Sequence, residues 1–575
     1  MEGMNGKIRK GAGGLLTAPF LAFMSCFTAG IMTHLYALTN KIPNWDDVTD
    51  VNWYGMGEEL GRWLIPHVWR MSTSYSAPAV HGLQAIALIA AAVAVCVSAL
   101  RISDRTSAIL TGISFAVFPA LVSGMTYMFT VHVYALAILM SVSAAWITMR
   151  CRKTGWILGI ALIFLSLSIY QAFYVFASGI FVISLAGDLM EGERAKDVVK
   201  KGVRYLVVLL LSMAFYLAFI KLAGFSLISY RGADSMGQIS LSSIPMVIAR
   251  SYHRFLQYFV TSPDSYIGPW TLAFMQVMTV TAFGIPVFFF FADRKRRDGR
   301  GVPETVLFLF CLFLVPLAVG GVYIMAPGVS KASTIMIYPY VLIFSLPGAV
   351  LRDRMLNVPE LLKTLKPGPV EILKHKSPEN TVVIRASKPG STTPDTEIEI
   401  THFPKTLFYR WRGSSVKNRI LVTMCCLFTA SVILCSYQYS VVAGSAYFRS
   451  SIAMERLQGL YNRIMVRLEA QDGFQYGDKI LICGDWWPEK NILSSYELDM
   501  DRFTDLDGVT AEHGLYTSGV RRQFIRTYLG IDYDLVMDEE GLAIEATREY
   551  KDMGVWPDST CVKKINDIWI VKMHD

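Results

Sequence analysis

The sequence predicts an α-helical polytopic membrane protein with about eleven transmembrane helices and a small C-terminal α/β domain. Three observations favour this fold class. Hydrophobic residues make up 53% of the 575-residue chain and charged residues only 17%, whereas soluble proteins average about 25% charged residues. The apolar residues gather in runs of about 20, the length that crosses a bilayer as a helix. From about residue 446 onward, the composition is instead that of a soluble domain.

The apolar runs divide the chain. They lie near residues 15–38, 79–100, 107–126, 128–149, 155–170, 171–187, 203–223, 268–292, 303–325, 332–350 and 420–444. The boundary at Ser168–Gln171 is the least distinct, because no clear loop separates two runs there. We therefore predict these parts: a transmembrane catalytic domain at 1–350 with outer loops at 40–76 and 224–267, an insert at 351–419, a last transmembrane helix at 420–445 and an outer domain at 446–575.

Lysine and arginine clusters predict how the chain is oriented. They fall between alternate runs, near residues 7–10, 101–105, 150–153, 196–204 and 294–300. Because cytoplasmic loops are rich in Lys and Arg, these clusters place the N-terminus and the insert in the cytoplasm. The first run is too long for a signal peptide and is read as a retained helix. We expect a multi-pass protein of the cell membrane whose C-terminal domain is extracytoplasmic.

Two regions outside the runs show patterns of regular structure. In the C-terminal domain, Lys479–Asp485 and Asp567–Val571 predict buried strands, and helical patterns lie near 450–470 and 517–529. This domain either binds an acceptor or is a structural cap. In the insert, Thr396–Ile400 alternates between polar and apolar residues, which predicts short strands.

Cysteine spacing and other motifs exclude several classes of function. No C-x-x-C pair occurs, so we expect no metal site. Cys483 and Cys561 form either a disulfide, which an oxidising compartment allows, or two buried thiols. The net charge of +8 comes from the loop clusters and does not indicate nucleic-acid binding. No Gly-rich phosphate-binding or dinucleotide-binding loop occurs, and we expect no cofactor.

An acidic pair in the first outer loop is the main catalytic candidate. Asn44-Trp45-Asp46-Asp47 follows the first run, so both carboxylates emerge near the depth of the lipid headgroups. Like-charge proximity raises the pKa of one carboxyl group, which suits a general base. The alternative is a solvated acidic loop. Asp46 is favoured only slightly over Asp47, because the sequence does not show which side chain faces a cavity.

Arg62 is the main candidate for binding a phosphate group. It lies in Gly61-Arg62-Trp63, at the start of a stretch with apolar residues at helical spacing. A guanidinium matches the geometry of phosphate oxygens. The alternative is a simple ion pair with Glu58, which lies four residues earlier.

Further polar side chains lie near the predicted outer ends of the helices. The candidates for substrate binding are His132, Tyr170, Gln171 and Arg231. Polar groups within membrane helices usually face a cavity or the protein interior, but they can equally bond a neighbouring helix. Cations on the outer loops could stabilise a phosphate leaving group; besides Arg231 these are Arg250, His253, Arg254 and Lys331.

The order of three short motifs resembles a known family. A first apolar run followed by Asn44–Asp47, then Gly61-Arg62-Trp63, then Ser168–Gln171 resembles the Gtr-type glucosyltransferases that modify bacterial surface polysaccharides. That family belongs to the GT-C class of membrane glycosyltransferases. The resemblance covers roughly residues 15–350. It implies a GT-C-like fold, a polyprenyl-phosphate sugar donor, usually of glucose, and a loop carboxylate as the general base.

The residues and the resemblance together predict an integral-membrane glycosyltransferase. Its partners are a polyprenyl-phosphate sugar, a hydroxyl of a surface glycan and the lipid bilayer, with no nucleic acid. Asp46 or Asp47 accepts the proton of the attacking hydroxyl, and Arg62 or an outer-loop arginine meets the charge on the leaving phosphate. Two alternatives stay open: a transporter or flippase of a lipid-linked precursor, and a polysaccharide polymerase or ligase. A transporter should contain internal repeats, and none is obvious in the sequence.

Overall fold

The structure is a computed structural model, and it is mostly helical. It describes these residues: 17–42, 44, 46, 57–73, 76–151, 153–238, 240–261, 264–292, 301–352, 383–385, 397–399, 416–484, 503–509, 518–536 and 543–573.

Nine helices in this described part are long and apolar enough to cross a membrane. We number them α1 Ala18–Thr39, α2 Pro78–Ala99, α3 Arg105–Thr126, α4 Val131–Arg150, α5 Gln171–Glu191, α6 Ala195–Leu222, α7 Pro269–Ala292, α8 Val302–Val319 and α9 Val416–Glu469. Two shorter apolar segments, Gly155–Leu167 and Ile335–Leu351, lie where two further runs are predicted. The chain is therefore a multi-pass membrane protein. The number of eleven crossings stays a prediction.

Local sequence explains where some of these helices begin and break. The Asp104 carboxylate caps α3 by accepting a hydrogen bond from the Ser107 backbone N–H at 2.7 Å. Pro119 interrupts α3 after Phe118, since proline cannot donate the helical hydrogen bond. Shorter helical segments connect the long ones: Glu58–Leu60, Ile65–Trp69, Ala233–Ser235, Leu241–Ser243, Ile244–Leu256, Gln257–Thr261 and Val322–Met325.

Burial separates central helices from peripheral ones. The most apolar windows of α3 and α5 are both 89% buried, whereas that of α6 is only 28% buried. A membrane helix that exposes apolar side chains faces lipid, so α6 lies at the periphery and α3 and α5 at the centre.

The two ends of the bundle carry different loops. At one end, which we call the site end, the Ile228 N–H donates to the Glu59 carbonyl at 3.1 Å; this end gathers loops 57–73, 224–238 and 326–334. Basic loops occupy the opposite end, where Arg101 pairs with Glu191 at 3.1 Å. The described residues of the basic clusters thus lie opposite the site end, and the assignment of each end to a cellular compartment stays a prediction.

Helix α9 runs without interruption through the predicted boundary at residue 445 and into the C-terminal region. Its 54 residues correspond to about 81 Å at 1.5 Å per residue, whereas a bilayer core is about 30 Å thick. Its final turns supply Leu457, Tyr461 and Ile464 to an apolar core that also contains strand residues of the C-terminal domain.

The C-terminal domain has the predicted α/β composition. Its strands are β3 Lys479–Cys483, β4 Asp534–Leu535, β5 Val562–Ile565 and β6 Ile568–Lys572, in the order β4-β3-β6-β5. The β3 strand is parallel to β4 and β6, and β5 is antiparallel to β6. Helical segments complete it: Ser518–Phe524, Ile525–Leu529 and Arg548–Lys551.

The two cysteines of this domain are buried thiols and not a disulfide. Cys483 belongs to one apolar cluster and Cys561 to another. Of the two alternatives, the structure contains the buried thiols.

In the insert, the described residues form a two-stranded antiparallel ladder of β1 Val383–Arg385 and β2 Glu397–Glu399. The second strand lies within the run Thr396–Ile400, where a strand is predicted.

Candidate functional site

The loop that carries Arg62 is fastened to the bundle by a network of hydrogen bonds. The Gln171 side-chain amide donates to the Leu60 carbonyl and to the Tyr216 hydroxyl, both at 2.7 Å. The Tyr216 hydroxyl in turn donates to the Gly61 carbonyl at 3.0 Å. Gly61 has φ +70°, and a Cβ at this position would lie 2.3 Å from the Tyr216 oxygen. Only glycine fits there, and the network fixes the position of Arg62.

Arg62 lies against aromatic rings and not against a carboxylate. Its guanidinium is 4.5 Å from the centre of the Tyr170 ring, a cation–π distance. The Tyr170 and Tyr134 rings lie 4.9 Å apart. Within the described part of the chain, no ion pair joins Arg62 to Glu58, and the buried Arg62 Nε has no hydrogen-bond partner. The guanidinium therefore keeps donor capacity for an anionic ligand.

Asp46 lies in a turn with Asn44, in the electrostatic neighbourhood of the same rings. Its backbone N–H donates to the Asn44 Oδ1 at 3.2 Å. Tyr134 interacts electrostatically with both Arg62 and Asp46. Burial raises the pKa of Tyr127, and the carboxylates of Asp507 and Asp46 raise it further. Thus a carboxylate and a guanidinium act on one group of tyrosines. Asp47, the other member of the predicted pair, lies outside the described residues.

A short segment from the C-terminal region inserts into the site end of the bundle. We call this segment, residues 503–509, the clasp. Its residues Phe503, Leu506 and Val509 are buried in the core of the transmembrane bundle. Gly508 has φ +80°, and a Cβ there would lie 2.0 Å from the Thr126 Oγ1 and 2.9 Å from the Asn44 Nδ2. The clasp therefore packs directly against the turn that carries Asp46.

Two carboxylates of the clasp pair with cations of the outer loops. Asp507 lies 3.0 Å from Arg231, and Asp505 lies 2.5 Å from Lys331. Burial, the largest single effect, would lower the pKa of Arg231, but the Asp507 carboxylate and the neighbouring Tyr170, Tyr230 and Tyr127 together raise it. Burial, the largest single effect, would raise the pKa of Asp505, but Lys331 and the hydrogen bonds from Ser265 together hold that pKa below the ordinary 3.8. Lys331 and Asp505 therefore both stay charged around neutral pH.

A buried ion pair contacts the same loops from inside the protein. Arg254 and Asp264 form a two-pronged contact, with nitrogen–oxygen distances of 2.9 and 2.7 Å. Both side chains are almost fully buried, and Arg254 also donates to the Ala332 carbonyl at 3.2 Å. Lys331 joins this pair at 3.2 Å from the Asp264 carboxylate. Such a pair loses much of its stability when one partner is removed, so these residues hold the loops in place.

His132 lies apart from this arrangement. Its ring stacks on His81 with centroids 4.2 Å apart, and His81 contacts the hydroxyls of Thr73 and Ser72. Both ring nitrogens of His132 are buried without a hydrogen-bond partner among the described residues. Within those residues, no group of three metal-ligating side chains gathers anywhere in the fold.

The structure thus brings Asp46, Arg62, Tyr170 and Arg231 into one electrostatic neighbourhood. Gln171 lies beneath Arg62 as the anchor of its loop. Sequence reasoning did not select Asp505 and Asp507 of the clasp. The Asp507-Gly508 pair is a turn signal, but nothing in the local sequence points to its docking partner.

These features define a multi-pass membrane protein with a polar, partly buried site at one end of its helical bundle. Residues 35–345, more than half of the chain, match the family described as Glucosyl transferase GtrII, and the chain belongs to this family. The resemblance drawn from the three motifs is confirmed, since all of them lie within the matched region. Family membership supports a membrane glycosyltransferase. No curated protein and no solved structure matches the chain.

Proposed function

We propose that this protein transfers a glucosyl unit from a polyprenyl-phosphate donor to a hydroxyl of a surface glycan, with Asp46 or Asp47 as the general base. The observation that carries the proposal is the common environment of Asp46 and Arg62, which both act on Tyr134. A base and a phosphate-binding cation are the two charged groups that such a transfer requires. The site end then faces the outside of the cell membrane.

The proposed reaction is a single displacement at the anomeric carbon. The acceptor O–H gives its proton to the aspartate carboxylate while its oxygen bonds to the anomeric carbon. The bond from that carbon to the phosphate oxygen breaks, and polyprenyl phosphate leaves with the electron pair. The Arg62 guanidinium stabilises the charge that grows on this phosphate, because its donors are oriented before the reaction begins.

The other predicted site residues support this step. Tyr170 holds the guanidinium through its ring face, and Gln171 fixes the loop beneath it. Arg231 borders the same tyrosines, but its charge is compensated by Asp507. We therefore assign the donor phosphate to Arg62 in preference to Arg231. His132 stacks on His81, apart from these residues, and is given no part in this step.

The test is single-turnover transfer by Asp46→Asn and Asp47→Asn at matched expression. Asparagine keeps the side-chain shape and removes the proton acceptor. We expect one variant to lose about 10²–10⁴-fold in rate, the usual value of general-base catalysis, and to keep its affinity for the donor. Transfer by both variants at the wild-type rate would exclude the acidic pair from catalysis.

A further inference from the structure

A polar cavity lies at the site end between the transmembrane domain and the clasp. Its volume is about 560 Å³. Residues 229–235 and 328–336 of the outer loops form two walls, and residues 504–507 of the clasp form the third. Hydroxyl and charged side chains predominate in the lining, among them Ser229, Asp234, Ser330 and Thr504. Such a lining suits a ligand with many hydrogen-bonding groups and not a lipid chain.

Among the described residues, the charges that line this cavity are compensated except for one carboxylate. Arg231 pairs with Asp507, and Lys331 pairs with Asp505. Arg254, the third cation of the lining, is neutralised by Asp264, as described above. Asp234 is exposed to the cavity and forms no ion pair within the described part of the chain. The local charge is therefore slightly negative, which disfavours a phosphate group.

We infer that this cavity is the acceptor subsite and binds a neutral, hydroxyl-rich carbohydrate; the inference rests on the proposed glucosyl transfer. The Asp234 carboxylate accepts hydrogen bonds from sugar hydroxyls, and the serine and threonine hydroxyls of the walls both donate and accept. Arg231 lines the cavity and also interacts electrostatically with Tyr134 and Tyr170. The subsite therefore adjoins the cluster that holds Arg62 and Asp46.

The C-terminal region contributes residues to the proposed subsite. Thr504, Asp505 and Asp507 belong to the clasp, yet they form one wall of the subsite. The choice of acceptor thus depends on residues outside the transmembrane bundle, whereas the donor meets groups of the bundle itself.

The first test fills the cavity in the full-length protein. Ser330 is exposed, lines the cavity and makes no hydrogen bond within the described residues, so Ser330→Trp adds bulk without removing a contact. The matched control is Ser226→Trp, at an exposed position of the neighbouring outer loop 224–238 and outside the cavity. The probes are polyprenyl-phosphate glucose as the donor, polyprenyl phosphate alone for donor-site binding, and polysaccharide extracted from the envelope of the source organism as the acceptor.

We expect Ser330→Trp to raise the KM for the polysaccharide by about 10-fold or more, since the bulk displaces hydrogen-bonded groups. Binding of polyprenyl phosphate should stay at the wild-type level, and Ser226→Trp should behave as the wild type. An unchanged acceptor KM in Ser330→Trp overturns the subsite and leaves the proposed function standing. Failure of the wild type to bind polyprenyl phosphate overturns the proposed function, and this inference with it.

A second variant avoids any steric effect on folding. Asp234→Asn keeps the size of the side chain and removes its charge. Because a hydrogen bond to a charged acceptor is strong, we expect the acceptor KM to rise about 10-fold while donor binding is retained. Wild-type acceptor affinity in Asp234→Asn, in a protein that binds polyprenyl phosphate normally, removes this residue from the subsite and overturns its assigned chemistry.

Discussion

Replacing Gly508 with alanine should undock the clasp and slow transfer without unfolding the C-terminal domain. The substitution destabilises the docked clasp through two separate contributions to the free energy. A non-glycine residue with a left-handed backbone, here φ +80°, costs about 1–3 kcal/mol. The added Cβ would also lie 2.0 Å from the Thr126 Oγ1, well inside the ordinary contact distance of 3.4 Å, and such overpacking costs about a further 1–3 kcal/mol.

The matched control is Gly530→Ala. Gly530 lies in the C-terminal domain with φ +69°, and a Cβ there would meet nothing within 4 Å. The Gly530→Ala variant therefore has only the free-energy cost of the left-handed backbone. The difference between the two variants isolates the steric term, about 1–3 kcal/mol, which corresponds to about a 5- to 150-fold change in an equilibrium. The Asn44 Nδ2 lies 2.9 Å from the added Cβ, so the turn that carries Asp46 is displaced as well.

The assay combines proteolytic protection of residues 503–509 with single-turnover transfer, both in purified full-length protein. We expect Gly508→Ala to lose protection and transfer together, and Gly530→Ala to keep both near the wild-type level. If Gly508→Ala transfers sugar as fast as Gly530→Ala, the clasp does not support the turn of Asp46, and the reasoning is refuted.

Three further predictions concern the charged groups. Arg62→Lys keeps the charge but loses the paired donors, so polyprenyl-phosphate affinity should fall in both Arg62→Lys and Arg62→Ala; full affinity in the alanine variant would exclude a phosphate-binding role. Because the pKa of Asp505 is lowered in the folded protein, its contribution to clasp docking is present above about pH 4 and lost as the pH falls below that value; protection from proteolysis against pH measures this, and Lys331→Met should weaken the acid-dependent step, part of which the Ser265 hydrogen bonds retain. Asp552 is exposed in the C-terminal domain, so Asp552→Cys should react with a membrane-impermeant maleimide in intact cells, whereas protection would reverse the assigned topology.

The positions of the helices along the chain could be predicted from the sequence, because each helix has its own local run of apolar residues. Each predicted apolar run coincides with a helix, since about 20 apolar residues in a membrane satisfy their backbone groups only as a helix. Strands at Lys479–Cys483 and Ile568–Lys572 were equally readable from buried β-branched runs. The two patterns on either side of residue 445 were assigned to separate parts, whereas the structure joins them in one helix, α9.

The site was only partly predictable, because half of it depends on contacts between distant residues. Asp46 and Arg62 follow the first run and carry their own chemical signal. Asp507 contacts Arg231 across 276 positions of sequence and Ile335 across 172. No local pattern encodes such a pairing. The sequence therefore indicated a cationic outer loop, and the structure added the carboxylates that neutralise it.

The ribosome synthesises the clasp long after the outer loops that the clasp contacts. At about 5–20 residues per second, the 276 residues between Arg231 and Asp507 take roughly 14 to 55 seconds to make. During this interval Arg231 and Lys331 lack the clasp carboxylates, although Lys331 still has the Asp264 carboxylate beside it. In the nascent chain the third wall of the cavity is therefore absent until α9 and the clasp have been made. A chain that ended within α9 would keep the two loop walls of the cavity but lack the clasp carboxylates that pair with Arg231 and Lys331.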